Sequence, residues 1–326
     1  MRRLSKAGFE KGFVRPALLP DWWDETCDQD PELLPDFEMR VARFMGLPLS
    51  YVRDPDVNLV APSYSGAQLR RVRNIDGDRL APAIHAAIQI AGAVARNLRD
   101  PELQLVVPDS DGLVWREEIE RAGSAIKLDD ILANLWLRGI PVVPLEILPV
   151  PSFQAITCVA EGRPVILISY KHDEPGRVAF LIAHETGHIA GGDCTSEHPV
   201  VDEEDGILDE TDIETKADQF ARRVLVGSDS MPALENREFR QLANDAIFQE
   251  RQTGADAGAI IGAWAATTHD YSKATMALKA LYRNSGARQR IFRHFNSNVD
   301  VEDASDSDRN LLRCVYGESL THEVIG

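Results

Sequence analysis

Residues 177–188, R-V-A-F-L-I-A-H-E-T-G-H, limit what this chain can fold into more than any other stretch. They read as an apolar helix, yet two histidines and a glutamate sit near its end. Histidines at i and i+4 stand one turn apart on a single helix face, so the imidazoles of His184 and His188 can converge on one metal ion. Glu185 lies beside them. In H-E-x-x-H sites that carboxylate does not bind the metal; it takes a proton from a metal-bound water whose pKa zinc has lowered to ~7.

A second stretch, I-E-T-K-A-D-Q-F-A-R-R-V-L at residues 213–225, has the spacing of an amphipathic helix. Ala217, Phe220, Ala221, Val224 and Leu225 form its apolar stripe, and Glu214 and Asp218 fall on the edge of that stripe. Ionised carboxylates against an apolar stripe cost several kcal/mol unless a cation or strong donors meet them. A zinc ion held by two histidines would supply the charge. Glu214 is then the expected third ligand, and Asp218, one turn on, the acceptor for the ring N–H of a ligand histidine.

The two stretches together, the H-E-x-x-H of 184–188 and the E-x-x-A-D-x-F-A of 214–221, resemble the ImmA/IrrE family of bacterial zinc metallopeptidases. The resemblance covers roughly residues 125–232. It implies His184, His188 and Glu214 as zinc ligands, Glu185 as general base, and a zincin-like core. It also implies a narrow substrate, a helix-turn-helix transcriptional repressor cleaved upon stress, DNA damage or mobile-element induction. Asp218 stands where an Asn is more usual, and V-L-V-G at 224–227 replaces the common leucine-rich ending with Met-Pro. Two histidines and a carboxylate suit zinc and also tolerate manganese or iron.

The expected fold class is α+β, mainly helical, with a small-sheet metallopeptidase core (124–232) between helical N-terminal (1–123) and C-terminal (233–326) regions. A chain of 326 residues is long enough for two or three domains. With 35 Lys and Arg against 52 acids the net charge is −17, which argues against a life spent on DNA or an anionic membrane. No apolar run reaches the ~18 residues a membrane span needs, and the N-terminus leads into no signal-peptide core, so a cytoplasmic protein is expected. The cysteines, Cys27, Cys158, Cys194 and Cys314, lack C-x-x-C spacing and read as reduced thiols. Cys194 alone follows the motif closely enough to suggest a metal ligand, and a plain loop cysteine is the simpler reading.

Along the chain, residues 1–22 read as an arm without chemistry, with the Trp22-Trp23 pair anchoring it to a core. Helices are expected over 32–44, 80–98 and 128–138, the second carrying a structural His85. A strand over 140–145 and a hairpin of 155–160 with 164–169 follow. Val165, Ile166, Leu167 and Ile168 belong to the strand expected to form a sheet edge that pairs with an extended substrate. Between the two motif helices an acidic loop over 197–212 could lie over the cleft, and beyond it helices are expected over 236–250 and 256–283. Residues 300–309 read as an acidic linker before a last short helix.

Two basic runs are candidates for nucleic-acid contact: Arg70, Arg71 and Arg73, and Arg288, Arg290 and Arg293, although a packed helix with exposed arginines is the simpler reading of the latter. Tyr170, His172, His198 and His269 are candidates for stabilising an oxyanion. The leading expectation is a zinc-dependent endopeptidase acting on one intracellular protein. The alternative is a non-proteolytic regulatory protein, antitoxin-like or a transcription regulator, with a structural or vestigial zinc site.

Overall fold

The structure, a computed structural model, describes residues 1–62, 68–70, 77–120, 125–169, 173–195, 199–202, 212–229, 234, 238–282 and 286–316. Among these, helices surround a single small sheet, an α+β architecture that is mainly helical. The helices of the first half are α1 (Arg2–Lys6), α2 (Lys11–Leu18), α3 (Leu34–Met45), α4 (Leu49–Arg53), α5 (Gly77–Arg96), α6 (Gly112–Ile119) and α7 (Leu128–Leu137). Those of the second half are α8 (Pro175–Gly191), α9 (Asp212–Val226), α10 (Phe239–Thr253), α11 (Ala257–Thr268), α12 (Tyr271–Leu281), α13 (Ala287–Asn298) and α14 (Asp306–Tyr316).

The strands are β1 (Gln68–Arg70), β2 (Val142–Leu145), β3 (Ala155–Ala160), β4 (Arg163–Ser169) and β5 (Val200–Asp202), in the order β1-β5-β3-β4-β2. β3 and β4 are the expected hairpin. Glu161 and Gly162 form a two-residue turn, both at positive φ, which matches the twist of the strands they join. β2 lies parallel to β4 and β1 parallel to β5, so the sheet is mixed.

Side-chain alternation sorts this sheet between two cores. Val143, Ile156, Val165, Leu167 and Val201 enter the cluster that contains α5, whereas Val142, Ala155, Ile166 and Ile168 enter the cluster that contains α8. Both faces are therefore covered, which is why the strands read as nearly continuous apolar runs. Each cluster gathers residues from well-separated parts of the chain. Phe9, Phe13 and Phe44 join Leu312 and Val315 on the α5 side, and Trp115 joins Leu242 and Trp264 on the α8 side. Among the described residues no helix is long and apolar enough to cross a membrane.

Several expectations need correction. β4 is not a sheet edge: Ile166 pairs with Val142 on one side and Thr157 on the other, and 165–168 are buried throughout. Its backbone donors and acceptors are already used by neighbouring strands, because an apolar run flanked by two others is driven to the middle of a sheet. The 197–212 segment is not one loop. Its β-branched Val200 and Val201 form β5 between β1 and β3, while 203–211 lie outside the described residues.

The helix expected over 256–283 is two helices. α11 ends at His269, which adopts φ 59, and α12 begins where the Asp270 carboxylate accepts the Lys273 amide at 3.0 Å. Residues 1–22 are more than an arm anchored at its tryptophans, since Leu4, Phe9, Phe13 and Val14 on α1, α2 and their connection are themselves core residues. Of the tryptophan pair only Trp23 is buried. The acidic linker ends early because α14 already starts at Asp306.

Candidate metal centre

Helix α8 runs from Pro175, suited to a first helical turn, to Gly192, whose φ of 76 stops it in a left-handed cap. From Ile182 to Ile189 every residue is buried. Ile182 and Val178 each contribute about 1.5–3 kcal/mol through the apolar surface they remove from water. That packing fixes the helix whose end carries the motif.

The second motif helix, α9, crosses α8 at Gly187. A Cβ at Gly187 would stand 3.0 Å from Ala217 Cα and 3.2 Å from Phe220 Cβ, so the absence of a side chain lets the two helices meet almost backbone to backbone. Stacking of Phe220 on Trp115 of α6, with ring centroids 5.7 Å apart, further holds α9 in place. The first turn of α9 is thereby delivered to the end of α8.

There the structure brings His184, His188 and Glu214 together, all buried. His184 Nε2 and His188 Nε2 are 3.1 Å apart, and the Glu214 oxygens lie 3.4 Å from the first and 3.5 Å from the second. Two ligand atoms, each ~2.0–2.1 Å from a tetrahedral ion, stand about 3.3 Å apart. The observed spacing fits that requirement.

The remaining ring nitrogens meet carboxylates. Asp218 Oδ1 is 2.8 Å from His184 Nδ1, and Asp193 Oδ2 is 3.1 Å from His188 Nδ1. An ionised carboxylate only accepts, so each Nδ1 carries the donated hydrogen, and in a neutral ring the lone pair then resides on Nε2. Burial holds His188 below the usual histidine range despite Asp193, which favours this neutral form. Two lone pairs and a carboxylate facing one another at these distances repel unless a cation lies between them. This group could hold a metal ion.

Glu185, wholly buried, accepts a hydrogen bond from the Thr157 hydroxyl at 2.5 Å. Thr157 projects from β3 toward α8, on the same face as Ala155. Beside His184 opens a cavity of about 70 Å³, walled by Phe180, Leu181, Ala265 and Leu278, with Tyr271 and Arg177 also lining it.

Sequence reasoning missed Asp193, Thr157 and Tyr271. The Gly191-Gly192-Asp193 run was the available signal for the first, because a glycine cap folds the chain back and lets the Asp193 amide bond the His188 carbonyl at 2.9 Å. A lone hydroxyl in the apolar strand A-I-T-C-V-A was the signal for the second. Nothing local marked Tyr271.

Cys194 is not in the ligand group. Its thiol contacts the Thr157 carbonyl at 3.3 Å, and burial, with nearby Glu185, pushes its pKa up to about 12. His269 is exposed at the end of α11, while Tyr170, His172 and His198 lie outside the described residues. Arg288 pairs with Glu146 and Arg290 with Asp129, and Arg293 is exposed. Arg71 and Arg73 lie outside the described residues, as does the side chain of Arg70. No known family profile, curated protein or solved structure matches this chain.

Proposed function

We propose that this chain is a metal-dependent endopeptidase, with zinc held by His184, His188 and Glu214 and with manganese or iron as chemically acceptable substitutes. The observation that carries the proposal is Glu185, a fully buried carboxylate beside the converging imidazoles and braced by Thr157. A purely structural metal site has no use for such a base. When bound, a divalent ion would polarise a peptide carbonyl and ease the deprotonation of water.

In this reading Glu185 takes a proton from the attacking water and returns it to the leaving amine. Thr157 fixes the carboxylate while it does so. Asp218 and Asp193 hold both imidazoles with Nε2 turned inward. Tyr271, which lines the same cavity as His184, is the donor we assign to the developing oxyanion, and the apolar walls of that cavity would receive a side chain next to the scissile bond. The resemblance to the ImmA/IrrE family supplies the substrate class, a helix-turn-helix repressor cleaved in a stress, DNA-damage or mobile-element response.

The test compares wild type with Glu185→Gln and His184→Ala for metal content and for cleavage of a repressor encoded beside this chain. Glu185→Gln is expected to keep one equivalent of metal and lose cleavage by about 10³-fold or more, whereas His184→Ala loses both. Should both variants relieve repression as well as wild type, the regulatory-protein reading replaces this one.

A further inference from the structure

We propose that a cavity bounded by α2, α3, α5 and α14 binds a small organic anion bearing a phosphate or carboxylate group. The cavity measures about 410 Å³, within the ~300–1,000 Å³ range of small-molecule sites. α5 closes it on the side facing the sheet, opposite the face that α8 covers, so this site is separate from the proposed peptidase centre.

Its polar lining comes from Arg40 and Arg43 of α3, Gln89 and Arg96 of α5, and Ser307 beside Asp308 of α14. Three guanidinium groups around one cavity run against the trend of a chain with net charge −17. Two of them have structural partners: Arg40 bonds Asp36 at 2.7 Å, and Arg96 bonds Asp308 and Glu161, each at 2.6 Å. Arg43 differs. It donates to the Ser307 hydroxyl at 2.9 Å, and no carboxylate stands against it among the described residues. The planar fork of arginine matches both phosphate and carboxylate oxygens, which defines the shared chemistry of the ligand.

Helix α5 supports the same conclusion. Between Leu80 and Val94 it is apolar except for His85 and Gln89. Gln89, Gly92 and Arg96 follow one another along one face at helical spacing, and a Cβ at Gly92 would stand 3.0 Å from an Arg96 guanidinium nitrogen. The missing side chain gives that guanidinium its place along the helix. Leu18, Phe44 and Leu311 form the apolar part of the lining, and a bare oxyanion would leave that part without a partner. The ligand therefore carries an organic body.

The experiment is isothermal titration calorimetry on the full chain with adenosine monophosphate, citrate and inorganic phosphate at matched ionic strength. One of the two organic anions is expected to bind saturably and more tightly than inorganic phosphate, and which one does so separates the phosphate source from the carboxylate source. Arg43→Gln is expected to weaken that binding about tenfold or more, through loss of a charge-assisted hydrogen bond. Because Arg43 is exposed, its variant should keep the unliganded melting temperature; Gln89→Leu provides a second change, on α5, with the same expected direction. Absence of saturable binding by both organic anions, inorganic phosphate binding as tightly as they do, or binding that both variants leave intact would each overturn the proposal.

Discussion

Helices α5 and α8 press on opposite faces of one sheet, both are largely apolar, and both bury histidine, but the histidines are used differently. His85 on α5 directs Nε2 to the Phe44 carbonyl at 2.7 Å and meets the Phe44 ring edge-on, with centroids 4.8 Å apart. Burial lowers its pKa, so it is a neutral ring tying α5 to the last turn of α3. On α8 the outward Nδ1 atoms meet Asp218 and Asp193, and the Nε2 atoms turn toward each other and Glu214. A buried histidine bonded to a backbone carbonyl fastens two elements. Two buried histidines oriented by carboxylates, with their other nitrogens converging on Glu214, form a group that could hold a metal ion.

Removing an imidazole from each helix should expose the largest difference. His184→Ala is predicted to lose the bound metal, whereas His85→Leu should retain one equivalent while losing about 1–3 kcal/mol of stability as the Phe44 carbonyl loses its donor. Elemental analysis and urea unfolding of both variants measure this, and a folded His85→Leu protein without metal would erase the distinction. A smaller effect is expected from Asp218→Asn, which leaves the ligands in place but weakens their orientation. Metal affinity, read by competition with a chelating dye, should fall about 10–100-fold; an unchanged affinity would mean that His184 does not depend on this carboxylate.

Thr157→Val should slow peptide cleavage about tenfold with metal content unchanged, because Glu185 loses a single hydrogen bond. Equal turnover in the two proteins would remove Thr157 from the account. The smallest effect lies on the α5 side, at Asp308. Burial alone raises the pKa of this carboxyl, but hydrogen bonds from Arg96 and Asn97 outweigh it and leave the group below its ordinary value of 3.8. A lowered folded-state pKa gives stability that is present above the unfolded value and is lost as pH falls through the folded one. Below about pH 4, the urea midpoint of wild type should therefore fall more steeply than that of Asp308→Asn. Parallel slopes would show that the ion pair contributes no acid sensitivity.

Legibility in the sequence followed the range of the interaction. The i, i+4 spacing of His184 and His188 is a property of one helix turn, and the stripe carrying Glu214 and Asp218 is a property of two, so both pairs were readable. The β3–β4 hairpin was readable for the same reason, its turn being two residues long. The break at His269 was marked locally by Asp270, yet the apolar spacing on either side concealed it. Gln89 and Arg96 were visible as polar residues on an apolar helix, but the arginines facing them come from α3, some fifty residues away in sequence.

The sequence by itself determined which helix faces could carry chemistry, because helical periodicity depends only on neighbours within a turn or two. Only the tertiary structure decided what those faces meet: Asp193 rather than Cys194 beside His188, Thr157 beneath Glu185, β4 at the interior of the sheet, and three arginines around one cavity. The physical reason is that period specifies a direction, whereas a partner in space depends on how closely whole elements approach. At Gly187 that approach rests on the side chain glycine lacks, against an Ala217 backbone thirty residues further along the chain.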